Sequence, residues 1–156
     1  MAKQLVDSAI DRKNILNNSF AVSELQNQIG IKGVLFNGEY RFTTQQVADF
    51  YEVSVRTVRR YLSQFSEELR NSGYIDLENE ALDLWKQQFG GDMDVTTKLT
   101  RLGLFNFKAF LKIGFLLRES EKARILRGLV LNMVIHLVAK RAGGDTKFIN
   151  QREDSY

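Results

Sequence analysis

Arg56, Arg59 and Arg60 stand three and four residues apart in the segment Ser54-Val55-Arg56-Thr57-Val58-Arg59-Arg60-Tyr61-Leu62-Ser63. On a helix that spacing gathers all three guanidinium groups on one side. A guanidinium is a planar fork of donors. It matches the O6 and N7 edge of guanine in the major groove, or two oxygens of a phosphate, by paired hydrogen bonds. If Val53, Val58 and Leu62 face inward, the outward side presents Ser54, Val55, Arg56, Arg59, Arg60 and Ser63, with Thr57 beside them. The chemistry of this segment is recognition of a polyanion.

No other group of residues competes with it. The chain has no cysteine, which excludes disulfides, cysteine-zinc sites and thiol nucleophiles. His136 is the only imidazole, lies in the most apolar stretch and has no nucleophile near it in sequence, so it reads as a core or interface side chain. Asp92 and Asp94 lack the further oxygen ligands of a calcium loop. The glycines at 30, 33 and 38 are spaced wrongly for a phosphate-binding loop or a dinucleotide fingerprint. Phe105, Phe107, Phe110 and Phe115 read as core rather than as a base-stacking platform, and Glu67-Glu68 is expected to point away from any bound anion. Catalytic residues, cofactors and metal ligands are therefore all expected to be absent, and the chain is not read as an enzyme.

The element that must position the arginines is a pair of short helices crossing at a fixed angle. Such a pair needs small or branched apolar side chains between its members. Val47, Ala48, Tyr51, Val53, Val58 and Tyr61 or Leu62 supply them, and Ala48 marks the closest approach. This is a helix-turn-helix pattern over Thr44 to Leu62. The turn is Glu52-Val53-Ser54, with Ser54 placed to cap the second helix. Glu52 stands where a glycine is common, and it meets the required backbone at a steric cost or the turn is of another type. Upstream, Val34-Leu35-Phe36 and Tyr40-Arg41-Phe42 flank Asn37-Gly38, the residue chemistry of a two-residue hairpin. The hairpin runs into Thr43-Thr44, whose hydroxyls suit a helix start. Arg41 and Thr44 complete the expected contact set.

Without proline in the chain, boundaries rest on glycine and capping residues. Two short helices are expected before the hairpin, around Leu5 to Leu16 and Val22 to Ile29, the second capped by Ser19 or Ser23. The helix of Arg56 should continue to about Arg70, stopped by Asn71-Ser72-Gly73. A short extended piece follows at Tyr74 to Leu77. Ala81, Leu82, Trp85 and Phe89 share one face of a further helix. Gly90-Gly91 is read as a boundary, giving a module at 1–89, a helical region at 92–144 and a polar tail at 145–156. In that region Asn106 or Phe107 starts one helix and Ser120 caps the last, whose stretch Ile125 to Ala139 is apolar on most of its circumference. It is too short to span a bilayer, and Met1 to Lys13 lacks the apolar run of a signal peptide. The fold class is mainly α with a small β-hairpin, and a winged form of the motif stays open. A net charge of +3 with a pI near 9.2 permits a polyanionic partner only through a local basic face. Lys140, Arg141, Lys147 and Arg152 gather near the end of the chain.

Two stretches carry a resemblance. Phe36-Asn37-Gly38-Glu39-Tyr40-Arg41-Phe42-Thr43-Thr44-Gln45-Gln46-Val47-Ala48-Asp49-Phe50-Tyr51 and Ala109-Phe110-Leu111-Lys112-Ile113-Gly114-Phe115-Leu116-Leu117-Arg118, then Ser120-Glu121-Lys122-Ala123 and Arg127, resemble phage-type regulatory modules of antirepressor-like and KilA-N or BRO-N associated proteins. The resemblance implies a DNA-binding module of a mobile element; with the arginine face it gives the expectation of a sequence-specific binder of double-stranded DNA acting in transcription or replication control, and the absence of cysteine makes the cytoplasm the expected compartment. The alternative is an antirepressor-like module that docks a repressor through its C-terminal helices. A homodimer through those helices suits either reading.

Overall fold

The computed structural model describes residues 2–31, 33–89 and 99–141. Three short helices open the chain: α1 (Ala2–Asp7), α2 (Ala9–Leu16) and α3 (Ser19–Ile29). The first expected helix is thus two, because Ser8 takes an extended backbone and accepts a hydrogen bond from the Asp11 amide, starting α2 afresh. The cap of α3 is Asn18, through the Ala21 amide, rather than Ser19 or Ser23.

Strands β1 (Val34–Phe36) and β2 (Glu39–Thr43) form the expected hairpin, with Phe36 opposite Glu39. Asn37 and Gly38 both have positive φ, 51° and 79°, the twist that lets two residues reverse a pair of strands. Helix α4 (Thr44–Tyr51) follows at once. Thr43 accepts from the Gln46 amide while the Gln46 side chain accepts from the Thr43 amide, a reciprocal cap. Then come α5 (Val55–Gln64) and α6 (Ser66–Ser72), two helices where one reaching about Arg70 is expected. Phe65 breaks it, with φ −118° and ψ 34°, and its ring stacks on Tyr61 and packs against the core.

The strand β3 (Ile75–Leu77) and the helix α7 (Asn79–Phe89) occur as expected. Strand β4 (Leu102–Phe105) is new. It enters between β2 and β3, antiparallel to both, giving the order β1-β2-β4-β3 with Phe42 opposite Phe105 and Ile75 opposite Leu104. Because side chains alternate across a strand, Leu104 faces α7 with Phe36, Leu77, Leu82 and Trp85. Phe105 faces the helical body with Phe42 and Phe110.

That body is completed by α8 (Phe107–Leu116) and α9 (Glu121–Arg141), capped by Asn106 and Ser120 respectively. Every residue from Ala109 to Leu117 is buried. A single cluster joins Leu25, Phe42, Val47, Tyr51, Val58 and Leu69 to Phe110, Phe115, Ala123 and Leu126. The described part of 92–144 therefore shares its sheet and its core with 1–89. Gly90-Gly91, Asp92, Asp94 and the tail at 145–156 lie outside the described residues, as do the side chains of Lys140 and Arg141. Among the described residues no helix is long and apolar enough to cross a membrane.

Candidate nucleic-acid interface

The inner face of the α4–α5 pair is the one the sequence pattern required. Val47, Ala48, Tyr51, Val58 and Tyr61 are buried, and Val53 and Leu62 pack against the same core. Two bonds pin the end of α4 to the helices behind it. The Tyr51 hydroxyl donates to the Phe110 carbonyl at 2.8 Å, and the Ser120 hydroxyl donates to the Tyr51 carbonyl at 2.6 Å. Burial pushes the Tyr51 hydroxyl well above its ordinary pKa, so it remains a donor. Arg127, also buried, donates to the carbonyls of Gly114 and Leu117 at 3.0 and 2.9 Å and so closes the end of α8.

From this anchored end the chain turns through Glu52, which sits in the left-handed region at φ 57° and ψ 44°. Ser54 then accepts from the Thr57 amide at 3.0 Å, and the two hydroxyls bond each other at 3.0 Å. Both side chains are thus occupied in starting α5. Val55 departs from the expected outward face. It packs against the core, since positions 58 and 62 lie three and seven residues beyond 55 on a single helical stripe.

The opposite stripe carries Arg56, Arg59, Arg60 and Ser63, all exposed. Their situations differ. Arg60 forms an ion pair with Glu119, which also accepts from the Tyr61 hydroxyl, so the α8–α9 connection leans on this end of α5. Arg41, expected among the contacts, is turned inward. It is 12% exposed, donating to the Gly73 carbonyl at 2.8 Å and pairing with Glu39 at 3.0 Å, and it holds the hairpin to the end of α6. Thr44 borders a groove of about 730 Å³ between the start of α4, the side of α5 and the start of β4.

That groove joins Arg59 and Ser63 to residues that the sequence pattern does not single out. Arg59, Arg70 and Arg101 line it together with Gln45, Ser63 and Ser66. Arg70 bonds Asp76 at 2.6 Å and lies over the Tyr74 ring. Burial first, and then the adjacent Asp76 carboxylate, push the Tyr74 hydroxyl up to about 12. Arg101 is exposed at the foot of β4. No periodicity links it to α5; only the pairing of β4 beside β2 brings it there. His136 is exposed on α9. Among the described residues no group of three or more His, Cys, Asp or Glu side chains could hold a metal ion. No family model, curated protein or solved structure matches the chain.

Proposed function

We propose that the chain binds double-stranded DNA through α5, with Arg56, Arg59 and Arg60 on the reading face and Thr44, Gln45 and Arg101 flanking it. The observation that carries this reading is the division of α5 into two stripes: Val55, Val58 and Leu62 against the core, and three arginines exposed with Ser63 on the other side. The strand arrangement adds support. One strand before the helix pair and two after it form a sheet in the order β2-β4-β3, the layout of a winged helix-turn-helix. The β1–β2 hairpin precedes the motif as an addition, and the connection from β3 to β4 carries α7. A role in transcription or replication control of a mobile element follows the resemblance carried by residues 36–51.

The test is selection of bound duplexes from a random pool, followed by titration of the best site with the wild type and with Arg59→Ala. If Arg59 reads a base, the variant loses about 1 to 3 kcal/mol on the selected site and little on unrelated duplex. A phosphate contact instead weakens all duplexes alike. Absence of binding to any duplex at low salt ends the proposal. The antirepressor-like alternative draws on α9, where Ile125 is 54% exposed; it requires a chain that ignores duplex and holds a repressor in a complex of defined size.

A further inference from the structure

Helices α2, α6 and α8 enclose a second concentration of charge, away from the groove beside α5. Arg12, 3% exposed, lays its guanidinium along Glu68 with Nε to Oε2 at 2.6 Å and Nη2 to Oε1 at 2.7 Å. Its remaining Nη1 donates to the carbonyls of Leu5 and Val6, both at 2.8 Å. Arg12 and Glu68 thus satisfy each other. Lys112, 4% exposed, reaches the same carboxylate at 3.4 Å, on the oxygen that Arg12 already holds. Two buried cations share one anion, and an ammonium has three protons to place. Burial holds the Lys112 ammonium below the ordinary lysine value, and the charges of Arg12 and Lys13 push the same way against the pull of Glu68.

Lys112 lines a pocket of about 250 Å³ that also carries Lys13, Lys108, Asn17 and Asn71. Lys13 and Lys108 are exposed at its rim. Among the described lining residues the carboxylate of Glu68 is the one negative charge, and Arg12 neutralises it. Three ammonium groups with amide donors beside them call for a small anion of more than one charge. We propose that this pocket is a phosphate site, taking inorganic phosphate or the phosphate of a small monoester, with Lys13, Lys108 and Lys112 as its cationic contacts. It shares no lining residue with the groove beside α5, so it does not depend on the DNA-binding reading.

The experiment is thermal melting and calorimetric titration of the full chain with sodium phosphate, against sodium chloride at equal ionic strength. Phosphate should raise Tm along a saturable curve. The double variant Lys13→Ala/Lys108→Ala, altered only at exposed side chains, should bind about tenfold more weakly or worse. Lys112→Gln should lose the response altogether, and if it fails to fold the rim variant decides alone. Adenosine monophosphate binding tenfold tighter than inorganic phosphate assigns an ester; equal affinity assigns the free anion. The proposal is overturned if phosphate does no more than chloride, or if the rim variant keeps wild-type affinity. It is equally overturned if a short duplex displaces phosphate and loses affinity in the rim variant, because the lysines then belong to a nucleic-acid surface.

Discussion

Glu52 is the one residue of the turn whose backbone opposes its side chain. A left-handed conformation costs a residue with a Cβ about 1 to 2 kcal/mol, while glycine in the unfolded chain loses about 0.5 to 1 kcal/mol more entropy on folding. The first term exceeds the second at this position, where φ is 57°. Glu52→Gly should therefore raise the urea midpoint, through a gain of up to about 1.5 kcal/mol in stability, with an unchanged m value. A loss of stability would show that the glutamate side chain makes a contribution its exposed position does not suggest. Glu119 offers the complementary case, a residue whose removal should strengthen binding. Its carboxylate occupies Arg60 and sets a negative charge beside the arginine stripe. The pair is exposed on both sides, so breaking it costs the fold little. Glu119→Gln should tighten duplex binding by a few-fold at low salt and steepen the salt dependence by about one released ion. An unchanged affinity would take Arg60 out of the contact set.

At the level of elements, the sequence was most readable where a local rule acts within one helix or turn. The Asn37-Gly38 hairpin, the caps at Ser54, Asn106 and Ser120, and the buried face of α4 and α5 all depend on residues close to each other in the sequence. Phe65 and Leu102–Phe105 were not readable in that way. A helix broken at Phe65 carries no glycine or proline to announce it. The strand β4 is short, contains Gly103 and has apolar residues on both faces, so no alternation marks it. Arg101 went unnoticed with it. Contact between distant elements also fixes the role of Gly114. A Cβ there would collide with the Tyr51 hydroxyl and a Leu126 methyl, at the point where α4 is bonded to α8. Gly114→Ala should cost about 1 to 3 kcal/mol by overpacking. Adding Tyr51→Phe removes one of the clashing atoms, so the double variant should be less destabilised than the sum of the two. Strict additivity in a double-mutant cycle would contradict the collision.

For the whole molecule, the decisive feature is that the chain crosses its own expected boundary. A division after Phe89 follows the glycine pair in the sequence, and it would leave α4 and α5 with β2 and β3 as a candidate module. The two strands are not neighbours, however. Strand β4 lies between them and supplies the partners of Phe42, Thr43, Ile75, Asp76 and Leu77. Helix α8 supplies Phe110, whose ring stacks on those of Phe42 and Tyr51 at centroid distances of 4.9 and 5.1 Å, and whose carbonyl receives the Tyr51 hydroxyl. A fragment ending at residue 89 would expose Phe42, Tyr51, Val58 and Leu69 and leave the edges of β2 and β3 unpaired. Burying each large apolar side chain contributes roughly 1.5 to 3 kcal/mol, and domain stability is only about 5 to 15 kcal/mol in total. The fragment 1–89 should therefore lack dispersed amide resonances and a cooperative melt, whereas 1–141 should show both. Supplying 99–141 as a separate peptide should restore part of the dispersion, because it returns β4 and α8 to the gap. A folded 1–89 that bound duplex unaided would mean that the α4–α5 pair needs neither, and that the two halves are separate modules after all.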